Sequence, residues 1–375
     1  MIVIEKDVRY WVGFSIVPGI GRVKFGQLEN YFSTLEDAWK ATPAELKQAG
    51  LDRGSVNAIT SWRPKISLEA ELEKLDSFGV KVLTWHDRDY PARLKDISDY
   101  PPILYVGGSL LPADEWCLAV VGTRRVSVYG RQVTEEITAD LARNKITIVS
   151  GLAKGTDTIA HRSALDAGGR SIAIFGCGLD IVYPSENASL ARSIIQQGAL
   201  ISEYPLGVRP RPDNFPRRNR IMSGLSLGVL VVEAGDTSGA LITANMALEQ
   251  GREVFAIPGS ILSPASRGTN RLIQEGAKLV RGYADILEEL NLTTVAQQME
   301  MKELIPASDT ESMLLKQLSA EPIHIDELCR NSGLHISAIS STLAMMELKG
   351  MVKQIGSMSY VLAREVREEY RVKVD

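Results

Sequence analysis

Cysteine is scarce in this chain: three in 375 residues, Cys117, Cys177 and Cys329, with no CxxC pair among them. An odd, widely spaced set excludes a disulfide framework and a structural zinc site, and it fits a reducing compartment. Long apolar runs are missing too, and the N-terminus, MIVIEKDVRYWVGF, mixes charges into its apolar residues without a small-residue cleavage pattern. We therefore expect no signal peptide, no membrane partner and a cytoplasmic location. Nor is there an excess of positive charge, since 42 Lys+Arg against 46 Asp+Glu leave a formal net charge of −4. A uniformly basic coat is excluded, so any polyanion site has to be local. Two nucleotide signatures are absent as well. The turn Gly122-Thr123-Arg124 puts arginine where a dinucleotide fold needs its second glycine, and no GxxxxGK[ST] occurs. Neither a dinucleotide cofactor nor P-loop chemistry is expected, and no metal-ligand spacing appears.

What the chain does have is apolar substance. Hydrophobic residues make up 45% and charged residues 23%, ordinary globular usage, at a length that suits two or three domains with sizeable cores. Residues 1–80 alternate helical apolar spacing with short polar breaks and predict a helical domain. From Val80 the pattern turns to short β-branched runs at 80–83 and 103–106, separated by prolines; this predicts a strand-bearing connector. Between Cys117 and Leu290 one rhythm repeats: an apolar run, a small-residue turn, a helical segment. The runs are 118–121, 146–149, 171–175, 230–232 and 254–257. Continuous apolar strands spaced by helices predict a doubly wound α/β domain, its mostly parallel sheet covered on both faces. A link over 291–307 leads to helices expected at 311–318, 325–331 and 337–349 and a hairpin around Gly356, together a winged helix. The tail Arg364–Asp375 is charged and reads as a solvated helix or a frayed end. The expected domains are thus 1–80, 81–290 and 308–365.

In an open parallel sheet ligands bind beyond the carboxyl ends of the strands, where loops and helix N-termini converge with unpaired N–H groups. Four small-residue loops sit there: Gly122-Thr123-Arg124-Arg125, the loop from Ser150 and Gly151 to Lys154 and Gly155, Gly176–Asp180, and the loop from Glu233 to Ser238 and Gly239. Glycine admits close backbone approach, hydroxyls donate to phosphate oxygens, and each charge-assisted bond contributes about 1.5–3 kcal/mol. Residues 208–220, VRPRPDNFPRRNR, add five arginines, three prolines and one acid. Prolines favour an extended segment, guanidinium groups grip phosphates or stack on bases, and Phe215 offers a stacking platform.

Candidate acid–base groups are fewer. Asp157 and His161 are four apart on one helix face and read either as a dyad or as a helix-start acid beside a core histidine. Glu203, Asp180 and Glu233 follow strands or turns without paired spacing. Val17-Pro18-Gly19-Ile20-Gly21, near Arg22 and Lys24, has the form of a helix-hairpin-helix turn, which either presents N–H groups to a phosphate or packs two helices. The expected third helix of the C-terminal unit has almost no cation before Lys349, which suits a protein contact or weak accessory binding better than base readout.

The ordered set Ser150-Gly151-Leu152-Ala153-Lys154-Gly155-Thr156-Asp157, Ala160-His161, Tyr183-Pro184, Ser202-Glu203, Phe215-Pro216-Arg217-Arg218-Asn219-Arg220-Ile221, Val232-Glu233-Ala234, the run from Ser238 to Ala244 and Pro258-Gly259 resembles the DprA (Smf) DNA-processing proteins of bacteria. The likeness covers roughly residues 107–290, and the flanking units are similar to that family's helical (SAM/helix-hairpin-helix-like) and winged-helix domains. Thr156 departs from it, where the family more often has an apolar residue. The resemblance implies an extended Rossmann-like domain that binds single-stranded DNA, forms a homodimer and loads the RecA recombinase during natural transformation, with no catalysed reaction and no cofactor. Carried over by motif position, the DNA-binding residues are Arg124, Ser150, Gly151, Lys154, Arg218, Asn219 and Arg220; Arg217 joins them on charge alone, and Ser238 and Gly239 as the fourth loop.

Two other readings stand beside this one. A nucleoside-monophosphate phosphoribohydrolase of the lysine-decarboxylase-like class also pairs such a sheet with glycine-rich turns, although its Pro-Gly-Gly-x-Gly-Thr motif is missing and Glu233 comes too early. A sequence-specific duplex regulator would have to act through the cation-poor C-terminal helix.

Overall fold

The structure, a computed structural model, describes residues 8–292, 309–319, 322–348, 352–355 and 358–362. The link at 291–307, apart from its first two residues, and the charged tail 364–375 lie outside the described residues. The chain divides after Leu290 into two compact units.

The first unit opens with six short helices: α1 (Val8–Ile16), α2 (Arg22–Tyr31), α3 (Leu35–Lys40), α4 (Pro43–Gln48), α5 (Arg53–Trp62) and α6 (Leu68–Ser77). Their limits are written in the local chemistry. Thr34, Thr42, Asp52 and Ser67 each accept a backbone N–H of the first turn of α3, α4, α5 and α6, and Pro43 starts α4 where a missing N–H costs nothing. Trp11, Phe14, Phe25 and Trp39 stack or meet edge-on in their shared interior. This interior is continuous with the sheet that follows: Ile103, Tyr105, Phe175 and Leu200 belong to the same apolar cluster, and Ser15 Oγ lies 2.6 Å from the buried Tyr105 hydroxyl.

Nine strands and seven helices follow. In chain order they are β1 (Val80–Thr84), β2 (Ile103–Gly108), β3 (Cys117–Val121), α7 (Val128–Arg143), β4 (Thr147–Ser150), α8 (Thr156–Asp166), β5 (Ser171–Phe175), α9 (Ala188–Gln197) and β6 (Gly198–Ser202), then α10 (Asn214–Leu225), β7 (Gly228–Val231), α11 (Gly239–Glu249), β8 (Glu253–Ala256), α12 (Arg267–Gln274), β9 (Lys278–Leu279) and α13 (Tyr283–Glu289). The sheet order is β1-β2-β6-β5-β4-β3-β7-β8-β9. β3 to β9 run parallel, whereas β2 pairs antiparallel with β6 and β1 with β2. Helices α8 and α9 pack on one face and α10, α11 and α12 on the other, each face closing its own apolar cluster. The expected doubly wound α/β architecture is present, and the strands of the expected connector extend its sheet.

β6 is a strand that the hydrophobic rhythm does not announce, because Gly198 ends α9 and begins β6 without an intervening turn. Close backbone contact makes room for this: a Cβ on Gly198 would lie 1.8 Å from the carbonyl oxygen of Ser171 in the neighbouring strand.

The second unit contains the expected winged-helix elements within a residue or two: helices Asp309–Gln317, Ile325–Ser332 and Ile336–Leu348 and strands Val352–Gln354 and Ser359–Leu362. Leu314, Leu315, Ile325, Leu328, Ile339, Leu343 and Met346 form its core. A two-residue strand, Ile323–His324, adds to the hairpin through Tyr360 and Ser359.

Gly198→Ala should separate β5 from β6 and lower the stability of the chain by about 3 kcal/mol, read as a shifted denaturant midpoint at unchanged slope.

Candidate nucleic-acid interface

The strand order puts a topological switch at β3. From there the chain steps through β4, β5 and β6 to one side, while β7, β8 and β9 extend the sheet to the other. The helices after β3 and β7 leave on opposite faces, so their loops part into a crevice. A cavity of about 530 Å³ occupies it, lined by Gly122–Arg125 from the β3 loop, Thr237–Ala240, Ile242 and Thr243 around the start of α11, and Phe215, Arg218 and Asn219 of α10. A smaller one of about 70 Å³ adjoins it between Arg124, Gly151, Lys154, Tyr183, Phe215 and Arg218.

The loop between β4 and α8 is held by side chains beneath it, Thr158 donating to Ala153 O at 2.7 Å among them. Asp157, in the first turn of α8, accepts from Gly151 N at 3.1 Å and Ala153 N at 3.2 Å. Asn187 donates to Leu152 O at 2.9 Å, fixing a buried leucine whose φ of 55° is left-handed. Arg218 donates to Gly151 O at 2.6 Å and also to Ile174 O, tying the ends of β4 and β5 together. A Cβ at Gly151 would come within 2.4 Å of that guanidinium. At the end of the loop Gly155 has φ 82°, and a Cβ there would strike Thr123 O at 2.4 Å. Thr156, the departure noted in the sequence, is buried and donates to Thr123 O at 3.2 Å, so it braces the β3 loop against α8.

Above this frame the cations are accessible. Arg124 and Arg125 are exposed and make no ion pair among the described residues. Among the described residues Lys154 pairs only with Glu186, at 2.5 Å, with both side chains about 60% exposed; water screens such a pair strongly. Tyr183, half exposed, stands 5.6 Å from Phe215, the rings tilted by 31°. Ser238 accepts from Ala240 N and caps α11, leaving Gly239 exposed at the lip of the crevice.

Of the expected site residues, the structure gathers Arg124, Gly151, Lys154, Arg218, Asn219, Ser238 and Gly239 around the two cavities. It corrects others. Ser150 is fully buried and its hydroxyl hydrogen goes to Val120 O at 2.6 Å. Arg220 is turned toward acids, Glu203 at 2.6 Å and Asp99 at 2.9 Å, with its side chain 14% exposed. Arg217 is exposed but lines neither cavity. Arg218 is buried beneath the crevice rather than offered to it, and its Nε donates to Asn219 Oδ1 at 3.1 Å. Residues 208–220 are not extended throughout either: α10 begins at Asn214, and Pro216 is tolerated because the first helical turn has no use for its N–H.

Charge and aromatic pattern missed Arg125 and Tyr183. The first lies beside a selected residue and the second within the Tyr-Pro pair, but neither spacing distinguished them from ordinary surface residues.

The acid–base candidates are occupied. His161 is fully buried, with Nδ1 2.6 Å from Ser171 Oγ, which itself donates to Ile148 O; the ring proton is therefore on Nδ1. Burial, reinforced by the Arg218 charge, pushes its pKa down to about 3. Asp157 binds amides, not His161, and burial raises its carboxyl pKa against the opposing pull of Arg218 and those N–H groups. Glu233, placed at the end of β7, is buried with one oxygen accepting Ser127 N at 3.0 Å and the other Ser127 Oγ at 2.6 Å, so it anchors the start of α7. At the helix-hairpin-helix-like turn, Arg22 stacks on Tyr100 at 4.3 Å and Lys24 pairs with Asp52 at 2.5 Å, which engages both nearby cations internally.

Arg218→Met should cost about 3 kcal/mol of stability by stranding Asp157 and two carbonyls, read as a lowered urea midpoint. His161 contributes a pH dependence. An unfolded histidine protonates near 6.5 while the folded one stays neutral to about 3, so its share of stability falls as pH drops through that window, by up to about 1.4 kcal/mol per unit. Burial raises the Asp157 and Glu203 carboxyls and acts in the opposite sense; urea midpoints of wild type and His161→Asn between these pH values should therefore converge as the solution is acidified.

Comparison with known proteins shows which family this fold resembles. Residues 81–291 match the family model described as DNA recombination-mediator protein A, and residues 300–356 match the DprA winged helix domain. Protein Smf of Synechocystis is 34% identical across 95% of this chain and 99% of its own length. The crystal structure of DNA processing protein A from Streptococcus pneumoniae superposes with a TM-score of 0.67 at 38% identity, covering 75% of this chain and 97% of that one. DNA processing protein A of Helicobacter pylori, whose structure describes a single-stranded DNA binding mode, superposes at 0.52 with 31% identity over 57% of this chain and 96% of that one. With a parallel sheet opening at β3, a braced Ser-Gly-Leu-Ala-Lys loop and a winged-helix unit, the chain belongs to the DNA recombination-mediator protein A (DprA/Smf) family.

Proposed function

We propose that this protein binds single-stranded DNA without sequence preference along the crevice at β3 and passes it to a RecA recombinase, acting as a homodimer in DNA processing and natural transformation. The observation that carries the reading is the placement of Arg124, Arg125 and Lys154 on the rim of one crevice, beside the Tyr183–Phe215 ring pair, in a chain of net charge −4. Cations that track a backbone and an aromatic that accepts any base are the two parts that sequence-tolerant strand binding needs. Family membership supports the recombinase and dimer parts of the reading.

The same residues favour binding over catalysis. Asp157, His161 and Glu233 each have a structural partner, and Glu233, which a phosphoribohydrolase reading would make its base, has both oxygens committed to Ser127. Among the described residues no cluster has metal-ligand composition, and no helix is long and apolar enough to cross a membrane.

Neutralising about three phosphates gives a log–log salt slope near −2 for single strands, so affinity should fall roughly twentyfold between about 50 and 200 mM salt. Arg124→Ala with Lys154→Ala should shrink the slope to about −0.7 and weaken binding at low salt, measured by fluorescence anisotropy. Unaltered affinity and slope in the double variant would refute the proposal.

A further inference from the structure

A groove between α8 and α9 is linked to the crevice through one ion pair, Glu186 with Lys154. It has a volume of about 270 Å³ and is lined by Arg162 and Asp166 of α8, Ser189 and Ser193 of α9, and Glu186. Glu186 connects the two places, because its carboxylate rests on Lys154 at 2.5 Å and Lys154 lines the smaller cavity of the crevice. Tyr183 and Pro184, which line that cavity, lie just before Glu186 in the same loop.

We propose that this groove is a second segment of the interface, taking the phosphodiester backbone of a single strand as it leaves Lys154. The inference rests on the reading given above. Arg162 supplies the phosphate contact: its side chain is exposed and has no acid within ion-pair distance among the described residues, although Asp166 lies one turn away. Opposite it, Ser189 and Ser193 are exposed one turn apart on α9 and carry hydroxyls suited to phosphate oxygens. Ser193 Oγ lies 3.3 Å from Ser189 O, a weak local bond that a phosphate replaces. The floor is apolar, Leu165 and Leu190, and no aromatic ring lines the groove, so it grips backbone and not bases. Ten residues of α9 give the groove a length of about 15 Å, enough for a few nucleotides. The two acids are its limits. Glu186 occupies the junction while no strand is bound and yields Lys154 to a phosphate, and Asp166 marks the far rim.

The test compares oligo(dT) of about six nucleotides, which fits within the crevice, with one of about twenty, which continues beyond it. In Arg162→Glu, affinity for the long oligonucleotide should fall roughly tenfold and its salt slope lose about 0.7, while the short one binds as in wild type. Ser189→Asp, a substitution that a helix first turn favours, should reproduce that length-selective loss from the opposite wall. Unchanged binding of the long oligonucleotide in both variants, or equal weakening of both lengths, overturns the groove. Failure of the underlying reading looks different: the short oligonucleotide then ignores Arg124→Ala with Lys154→Ala.

Discussion

One buried guanidinium sets the shape of the crevice. Arg218 projects from α10 under the sheet's open end and donates to carbonyls at the ends of β4 and β5, while the Asp157 carboxylate offsets the charge from the adjoining helix. A charge without water is costly unless neighbouring groups satisfy it. Here the neighbours are the backbone groups whose positions matter, so satisfying the arginine and fixing the loop are one act. The exposed cations above can then be few, because a braced loop presents its lysine with little conformational entropy left to lose.

This arrangement explains how a chain with a small net negative charge can recognise a polyanion. Several of its arginines are spoken for: Arg220 by Glu203 and Asp99, Arg252 by Asp96, Arg170 by Asp114. Charge counts along the sequence treat these and the rim arginines alike. What separates them is whether an acid lies within reach in the fold, which depends on contacts between residues up to 156 positions apart.

Legibility followed the range of the interactions. The five short apolar runs and the winged-helix periodicities announced their elements because burial on a strand or helix is encoded residue by residue. β6 and β9 were not legible, the first because one glycine serves as both helix end and strand start, the second because it is two residues long. At the site, the glycine loops and the Arg-rich stretch were legible as a set, and their sorting was not. Ser150 and Arg218 look as available as Lys154 on paper; in the fold Ser150 turns inward to Val120 of β3 and Arg218 to the ends of β4 and β5. The helix start at Asn214 was hidden by its prolines, which read as breakers unless one falls in the first turn.

The antiparallel pair β1–β2 closes one flank of the sheet and hangs the helical region there, so the opposite flank is left to β9. Two residues, Lys278 and Leu279, present too short a ladder to template another strand, and a lysine in that position discourages addition further. Growth of the sheet by stacking copies edge to edge is thereby disfavoured at the β9 border, where a longer, flat ladder would template a further strand.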